Sequence, residues 1–133
     1  VNVYEISKDF TFAASHRLDG LPPGHKCARL HGHNYTVTVL ARALTLDGAG
    51  MVLDYAALDP VGEWIAATLD HRHLGAGDVC DEDGKLQDPA VVGFNPTAEC
   101  LAAHILENAR RLVGIIVKEV VVRESAKTSA RAV

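Results

Sequence analysis

The residues most able to do chemistry are histidines, seven in a chain of 133 residues and unevenly placed. His31-Gly32-His33 stands at the start of an alternating segment, where residues i and i+2 of a strand point to one face, so both imidazoles can reach one metal ion. Gly32 between them removes a side chain from the opposite face and permits a close backbone approach. His16 ends an earlier β-rich segment and, in an antiparallel pairing, supplies a third nitrogen. Three neutral imidazoles suit Zn²⁺ and leave a fourth position for water or substrate, as in catalytic zinc sites. A bare His-x-His is more often two unrelated strand histidines, so the pair needs its surroundings. A cupin-type site is excluded because no glutamate falls between His33 and Glu63.

The elements that must position these groups follow from periodicity. Residues 2–14 carry β-formers (Val3, Tyr4, Ile6, Phe10, Thr11, Phe12) and read as a strand with His16 at its end. Leu21-Pro22-Pro23-Gly24 makes a loop. His31 to Leu46 alternates as a long second strand that ends at Asp47-Gly48-Ala49-Gly50, and Met51–Leu53 is expected to start a third strand antiparallel to it. Asp59-Pro60 reads as a helix N-cap with proline at the first helical position, followed by Val61, Ile65 and Leu69 at helical spacing. Asp78 to Asp88 reads as an acidic loop. Thr97 is expected to cap a second helix whose buried face is Leu101, Ile105, Ala109 and Leu112. Ile115 to Glu124 is the final strand. The expected class is α+β, one domain over residues 1–133, with two helices on one face of an antiparallel sheet.

Composition bounds the function classes. A hydrophobic fraction of 48% and a charged fraction of 23% describe an ordinary globular protein. The net charge of −4, with no Lys/Arg block, gives no electrostatic support for nucleic-acid binding. No apolar run is long enough to cross a bilayer. Val1-Asn2-Val3-Tyr4-Glu5 has neither a basic start nor an apolar stretch. Cys27, Cys80 and Cys100 form an odd set without Cys-x-x-Cys, which fits a reducing, cytoplasmic setting. Gly75-Ala76-Gly77 lacks a third glycine and a following helix, so it is no dinucleotide fingerprint, and no Walker A pattern exists. The Asp78–Asp88 segment fails as a calcium loop, with Val79 at the first acidic position and Ala90 at the twelfth.

Six motifs occur in order between residues 10 and 124. They are Phe12-Ala13-Ala14-Ser15-His16-Arg17-Leu18, Cys27-x-x-x-His31-Gly32-His33-Asn34-Tyr35, Gly50-Met51-Val52-x-Asp54-Tyr55, Leu69-Asp70-His71-x-x-Leu74, Asn95-Pro96-Thr97-Ala98-Glu99 and Val122-Arg123-Glu124. Together they resemble the 6-pyruvoyltetrahydropterin and 6-carboxytetrahydropterin synthases. The resemblance implies a T-fold: a four-stranded antiparallel sheet with two helices on one face, closing with other copies into a barrel. The assembly implied is a homohexamer, a dimer of trimers with active sites between subunits. It implies Zn²⁺ on His16, His31 and His33, with 7,8-dihydroneopterin triphosphate as substrate and Zn²⁺ as the Lewis acid. By the same resemblance Cys27 is the base that takes a proton from carbon, and Asp70 with His71 is a second proton-transfer unit. Glu124 receives the N–H groups of the pterin ring at the end of the substrate away from the metal. Thr97 and Glu99 close the pterin pocket, although Thr97 has its capping role as well.

The interval of three residues between Cys27 and His31 is the short form, which resembles the bacterial 6-carboxytetrahydropterin synthases. It implies 6-carboxytetrahydropterin, acetaldehyde and triphosphate as products, for queuosine-type tRNA modification or 7-deazapurine metabolism. Arg17, Lys26 and Arg29 are equally readable as triphosphate contacts or solvated surface. Ser125–Val133 lacks the aromatic residue that often ends such chains. Two rival readings share the histidines: a zinc hydratase or hydrolase that needs no Cys27, and a non-catalytic zinc- or pterin-binding module.

Overall fold

The computed structural model describes all residues, 1–133. Its elements in chain order are β1 (Tyr4–His16), β2 (His31–Ala43), α1 (Asp59–Thr68), β3 (Arg72–His73), β4 (Val79–Cys80), β5 (Leu86–Asp88), α2 (Ala98–Leu112), β6 (Val117–Ser125) and β7 (Thr128–Ala132). Single 3₁₀ turns occupy Lys26–Ala28 and Tyr55–Leu58. The main sheet has the order β3-β1-β2-β6-β7, with β3 parallel to β1 and every other pair antiparallel. The class is α+β as expected, but the sheet is mixed and five-stranded rather than four-stranded and antiparallel.

The differences have local causes. No strand forms at Met51–Leu53. Both edges of β2 are already filled, by β1 and β6. The Asp47 carboxylate folds the following turn back by accepting from the Ala49 and Met51 N–H groups, while the Asp47 N–H donates to the Met51 carbonyl. Asp59 is not the cap of α1 but its first residue, and its carboxylate pairs with Lys8 on β1. Within the acidic segment, Asp81 accepts from the Asp83 and Lys85 N–H groups and turns β4 onto β5. The tail that carried no assignment supplies β7.

The helices cover the sheet face built from Phe12, Ala14, Tyr35, Val37, Val39, Val120 and Val122, all buried. From the helix side, Val61, Ile65 and Leu69 of the first helical segment and Leu101, Ile105 and Ala109 of α2 are buried, together with Ala102 and Leu106. Each full burial of such a side chain stabilises the fold by about 1.5–3 kcal/mol before entropy is counted. Leu112 is only half-buried. Gly62 brings α1 against β1, since a Cβ there would stand 2.5 Å from the Phe10 ring. Thr97 caps α2 as expected, its hydroxyl accepting from the Cys100 N–H at 3.1 Å.

The helix-free face is largely polar, although Leu40 and Val121 also lie on it. It presents Glu5, Ser7, Asp9 and Thr11 from β1 and Thr36, Thr38 and Arg42 from β2. On the same face Glu119, 8% exposed, is held by Arg42 at 3.7 Å and Arg131 at 3.2 Å. No helix of the chain is long and apolar enough to cross a membrane, which says nothing of a β-barrel.

Candidate metal centre

The period of two that builds the core also builds the site. Along β2, Val39, Val37 and Tyr35 face the helices, and the next two positions on that stripe are His33 and His31. His16 lies directly opposite His31 in the β1–β2 register. A Cβ on Gly32 would stand 3.2 Å from the Ala14 carbonyl oxygen, so glycine permits the close pairing that brings these strand ends together. One donor atom from each of His16, His31 and His33 lies within 4.8 Å of the others.

Hydrogen bonds fix the tautomers. His16 Nδ1 is 2.8 Å from the Pro96 carbonyl and His31 Nδ1 is 2.6 Å from the Arg29 carbonyl, so each Nδ1 carries the proton it donates. In the neutral rings the Nε2 atoms then carry lone pairs, and they face each other at 3.0 Å. His33 Nε2 is buried without any hydrogen-bond partner. Burial holds His16 and His33 below the ordinary histidine range, which favours neutral imidazoles. Converging lone pairs with no shared proton are costly unless a cation lies among them, so this donor set fits a metal ion.

Two groups behind the triad stand in the motifs but carried no assigned role. The Tyr35 ring is fully buried and stacked on Phe12 at 4.7 Å, with its hydroxyl 3.2 Å from His16 Nδ1. Burial, with the Glu124 charge, pushes that phenol well above its usual range. Asn95 donates to the Asp19 carbonyl and accepts from the Asp19 N–H, which pins the loop that presents the Pro96 carbonyl. The signal for Tyr35 was its place two residues after His33. Nothing local marks Pro96 as a carbonyl partner, because the contact spans eighty positions.

Cys27 sits on the 3₁₀ turn, whose start is capped by His25 Nδ1 accepting from the Cys27 N–H. A cleft of about 440 Å³ is lined by Cys27, Thr97, Glu99 and Glu124, so four of the expected site residues converge. Glu124 is nearer the metal-fitting nitrogens than a remote ring contact implies. Its Oε2 is 3.7 Å from His33 Nε2 and its Oε1 is 4.0 Å from His16 Nε2.

Asp70 and His71 lie elsewhere. The Asp70 carboxylate accepts from the Ala13 N–H at 2.9 Å and lies 3.0 Å from His71 Nδ1, and these contacts hold its carboxyl below the usual range. His71 has φ of +58°, an unfavourable conformation for its type, kept by the bond from its N–H to the Ala13 carbonyl. Its exposed ring borders a second cleft, shared with His33, Asn34 and Asp88, which Cys27 does not line.

His73, Arg17 and His104 resolve into structural roles. His73 is buried between the Ser15 hydroxyl and the Gly77 carbonyl. Arg17 donates to the Ala76 and Asp78 carbonyls, whereas Lys26 and Arg29 are exposed beside Cys27. His104 packs against Trp64 and Phe94.

Fold and site together define an α+β protein with a three-histidine, metal-fitting centre at one end of its core. The family model described as 6-pyruvoyl tetrahydropterin synthase matches residues 5–133. An Aquifex aeolicus protein named 6-carboxy-5,6,7,8-tetrahydropterin synthase is 30% identical, with 96% of each chain covered. A Rickettsia felis protein of the same name is 31% identical over 76% of each. The Caenorhabditis elegans 6-pyruvoyl tetrahydropterin synthase structure superposes with a TM-score of 0.76 at 25% identity, covering 98% of this chain and 95% of that one. The chain belongs to the 6-pyruvoyl tetrahydropterin synthase family of pterin-forming lyases.

Proposed function

We propose that the protein is a 6-carboxy-5,6,7,8-tetrahydropterin synthase, converting 7,8-dihydroneopterin triphosphate and water to 6-carboxytetrahydropterin, acetaldehyde and triphosphate. The observation that carries this reading is the convergence of Cys27 and Glu124 on one cleft, with the Glu124 carboxylate 3.7 Å from His33 and 4.0 Å from His16 of the triad. The names of the relatives and the short Cys27–His31 interval favour the carboxy product over the pyruvoyl one.

His16, His31 and His33 hold the metal through Nε2. Zn²⁺ bound there supplies Lewis-acid polarisation of the substrate's side-chain hydroxyls. Cys27, at the rim, takes the proton from the adjacent carbon. His71 exchanges the second proton, with Asp70 at its Nδ1 fixing the tautomer so that Nε2 is the working nitrogen. Glu124 reads the aminopyrimidinone edge by accepting its N–H groups, with Thr97 and Glu99 closing the pocket. Lys26 and Arg29 face the triphosphate.

Because His71 and Cys27 line different clefts, the working site joins them across subunits of a homohexamer. The largely polar helix-free face becomes the inside of a barrel, and β3 and β7 lose their free edges. The cytoplasmic assignment rests on the cysteine pattern.

The test is turnover of dihydroneopterin triphosphate by wild type and Cys27→Ala. Loss of a proton-transfer group costs about 10²–10⁴-fold, with metal content and fold kept. Near-normal turnover in Cys27→Ala overturns the mechanism and favours a metal-hydroxide hydratase.

A further inference from the structure

His25 precedes Cys27 by two residues and lines the same cleft as Cys27, Glu99 and Glu124. Its backbone is held on both sides: the His25 N–H donates to the Pro22 carbonyl and the His25 carbonyl accepts from the Ala28 N–H, each at 3.1 Å. The ring is held as well, with Nδ1 accepting from the Cys27 backbone N–H at 3.1 Å. A backbone N–H can only donate, so Nδ1 carries a lone pair and the neutral ring keeps its proton on Nε2. The bond to Cys27 is the only one the ring makes, which leaves an exposed Nε2–H donor on the cleft wall with no acceptor from the chain.

The groups of the cleft sort by sign. Glu99 and Glu124 offer acceptors, which suit the N–H groups of an aminopyrimidinone ring. On the turn that carries Cys27, His25 offers a neutral donor while Lys26 and Arg29 offer positive charge, all three exposed. Donors and cations together suit phosphate oxygens. The turn is tied to the metal end of β1, because the Leu18 N–H donates to the Cys27 carbonyl at 2.9 Å.

We propose that His25 is a substrate-contacting residue: the Cys27 N–H locks its ring in the tautomer whose Nε2–H donates to a phosphate oxygen of the substrate. The phosphate rests on the reading of the substrate as 7,8-dihydroneopterin triphosphate; the tautomer does not. One ring then holds the phosphate chain on one nitrogen and the Cys27 backbone on the other, so seating the triphosphate also steadies the turn that presents the thiol. The contact is a hydrogen bond and no proton moves, since loss of the single ring proton would leave an imidazolate.

The experiment compares binding of 7,8-dihydroneopterin triphosphate and 7,8-dihydroneopterin, read by pterin fluorescence, to zinc-loaded full-length protein. A Cys27→Ala background suppresses turnover and keeps the backbone N–H that locks the ring. The ratio of the two dissociation constants isolates the triphosphate. His25→Asn keeps an acceptor for the residue-27 N–H, because an asparagine carbonyl bonds the N–H two residues on, but it has no donor at the reach of Nε2. It is expected to shrink the ratio about tenfold, as for a lost hydrogen bond to a charged group, with dihydroneopterin affinity unchanged. His25→Gln, whose amide nitrogen reaches the place of Nε2, is expected to keep most of the ratio. An unchanged ratio in His25→Asn overturns the contact, and so does an equal fall in both variants. Imidazole ¹⁵N resonances, assigned by their loss in His25→Asn, read the tautomer, and a proton on Nδ1 overturns the lock. Failure of both pterins to bind sinks the substrate reading and the phosphate assignment with it, whereas binding of both with an unchanged ratio sinks this inference alone.

Discussion

At His16 the same ring is asked to be buried, neutral and pointed, and its burial and two neighbours secure this. Burial favours its uncharged form, the Pro96 carbonyl accepts a hydrogen bond from its Nδ1–H, and the Tyr35 ring packs edge-on against it. Single replacement of His31 or His33 by alanine is expected to abolish stoichiometric zinc, measured by elemental analysis after dialysis. Full occupancy in either variant would contradict the triad. Asp70 gives a pH prediction whose sign follows from its partners. The Ala13 N–H and His71 lower its carboxyl in the folded state, so its stabilisation is present above the ordinary aspartate value near pH ~3.9 and is lost as pH falls through the depressed value. Denaturation of wild type below about pH 4 should therefore be steeper than that of Asp70→Asn. Parallel acid limbs would show that the Ala13 contact carries no linkage.

Among the elements, Gly62 carries a sharp expectation. Gly62→Ala drives a methyl into the Phe10 ring, and overpacking of this kind costs about 1–3 kcal/mol, readable in the urea midpoint. An unchanged midpoint would mean that α1 sits less tightly on β1 than the 2.5 Å approach implies. The strands and helices that carry a regular period were legible in the sequence. The stripe of β2 runs without a break from Val39 to His31, so core and site announced themselves together. Contacts made by long-range pairing were not. Arg72–His73 joins β1 as a parallel edge strand of only two residues, too short to show alternation. Thr128–Ala132 pairs with β6 although its side chains are mostly exposed and, apart from Arg131, small. Met51–Leu53 has strand-like residues, but no open edge receives them. The three histidines were readable because a strand places them, whereas the nearness of Glu124 to them depends on β6 crossing to β2, which no local pattern states.

The whole molecule brings Cys27 and Glu124 to one cleft and leaves His71 on another, so the proposed reaction needs a second copy of the chain to join them. Light scattering should return the mass of six chains. Co-refolding the Cys27→Ala and His71→Ala proteins should restore a fraction of the activity that each lacks alone, since mixed oligomers regain some sites with both residues intact. No restoration would locate both residues of each site in one chain. The reaction is tested most directly by mass analysis of the products formed when zinc-loaded wild type is incubated with 7,8-dihydroneopterin triphosphate. Expected are 6-carboxytetrahydropterin with equimolar acetaldehyde and triphosphate, whereas substrate recovered intact from the zinc-loaded protein overturns the proposed reaction.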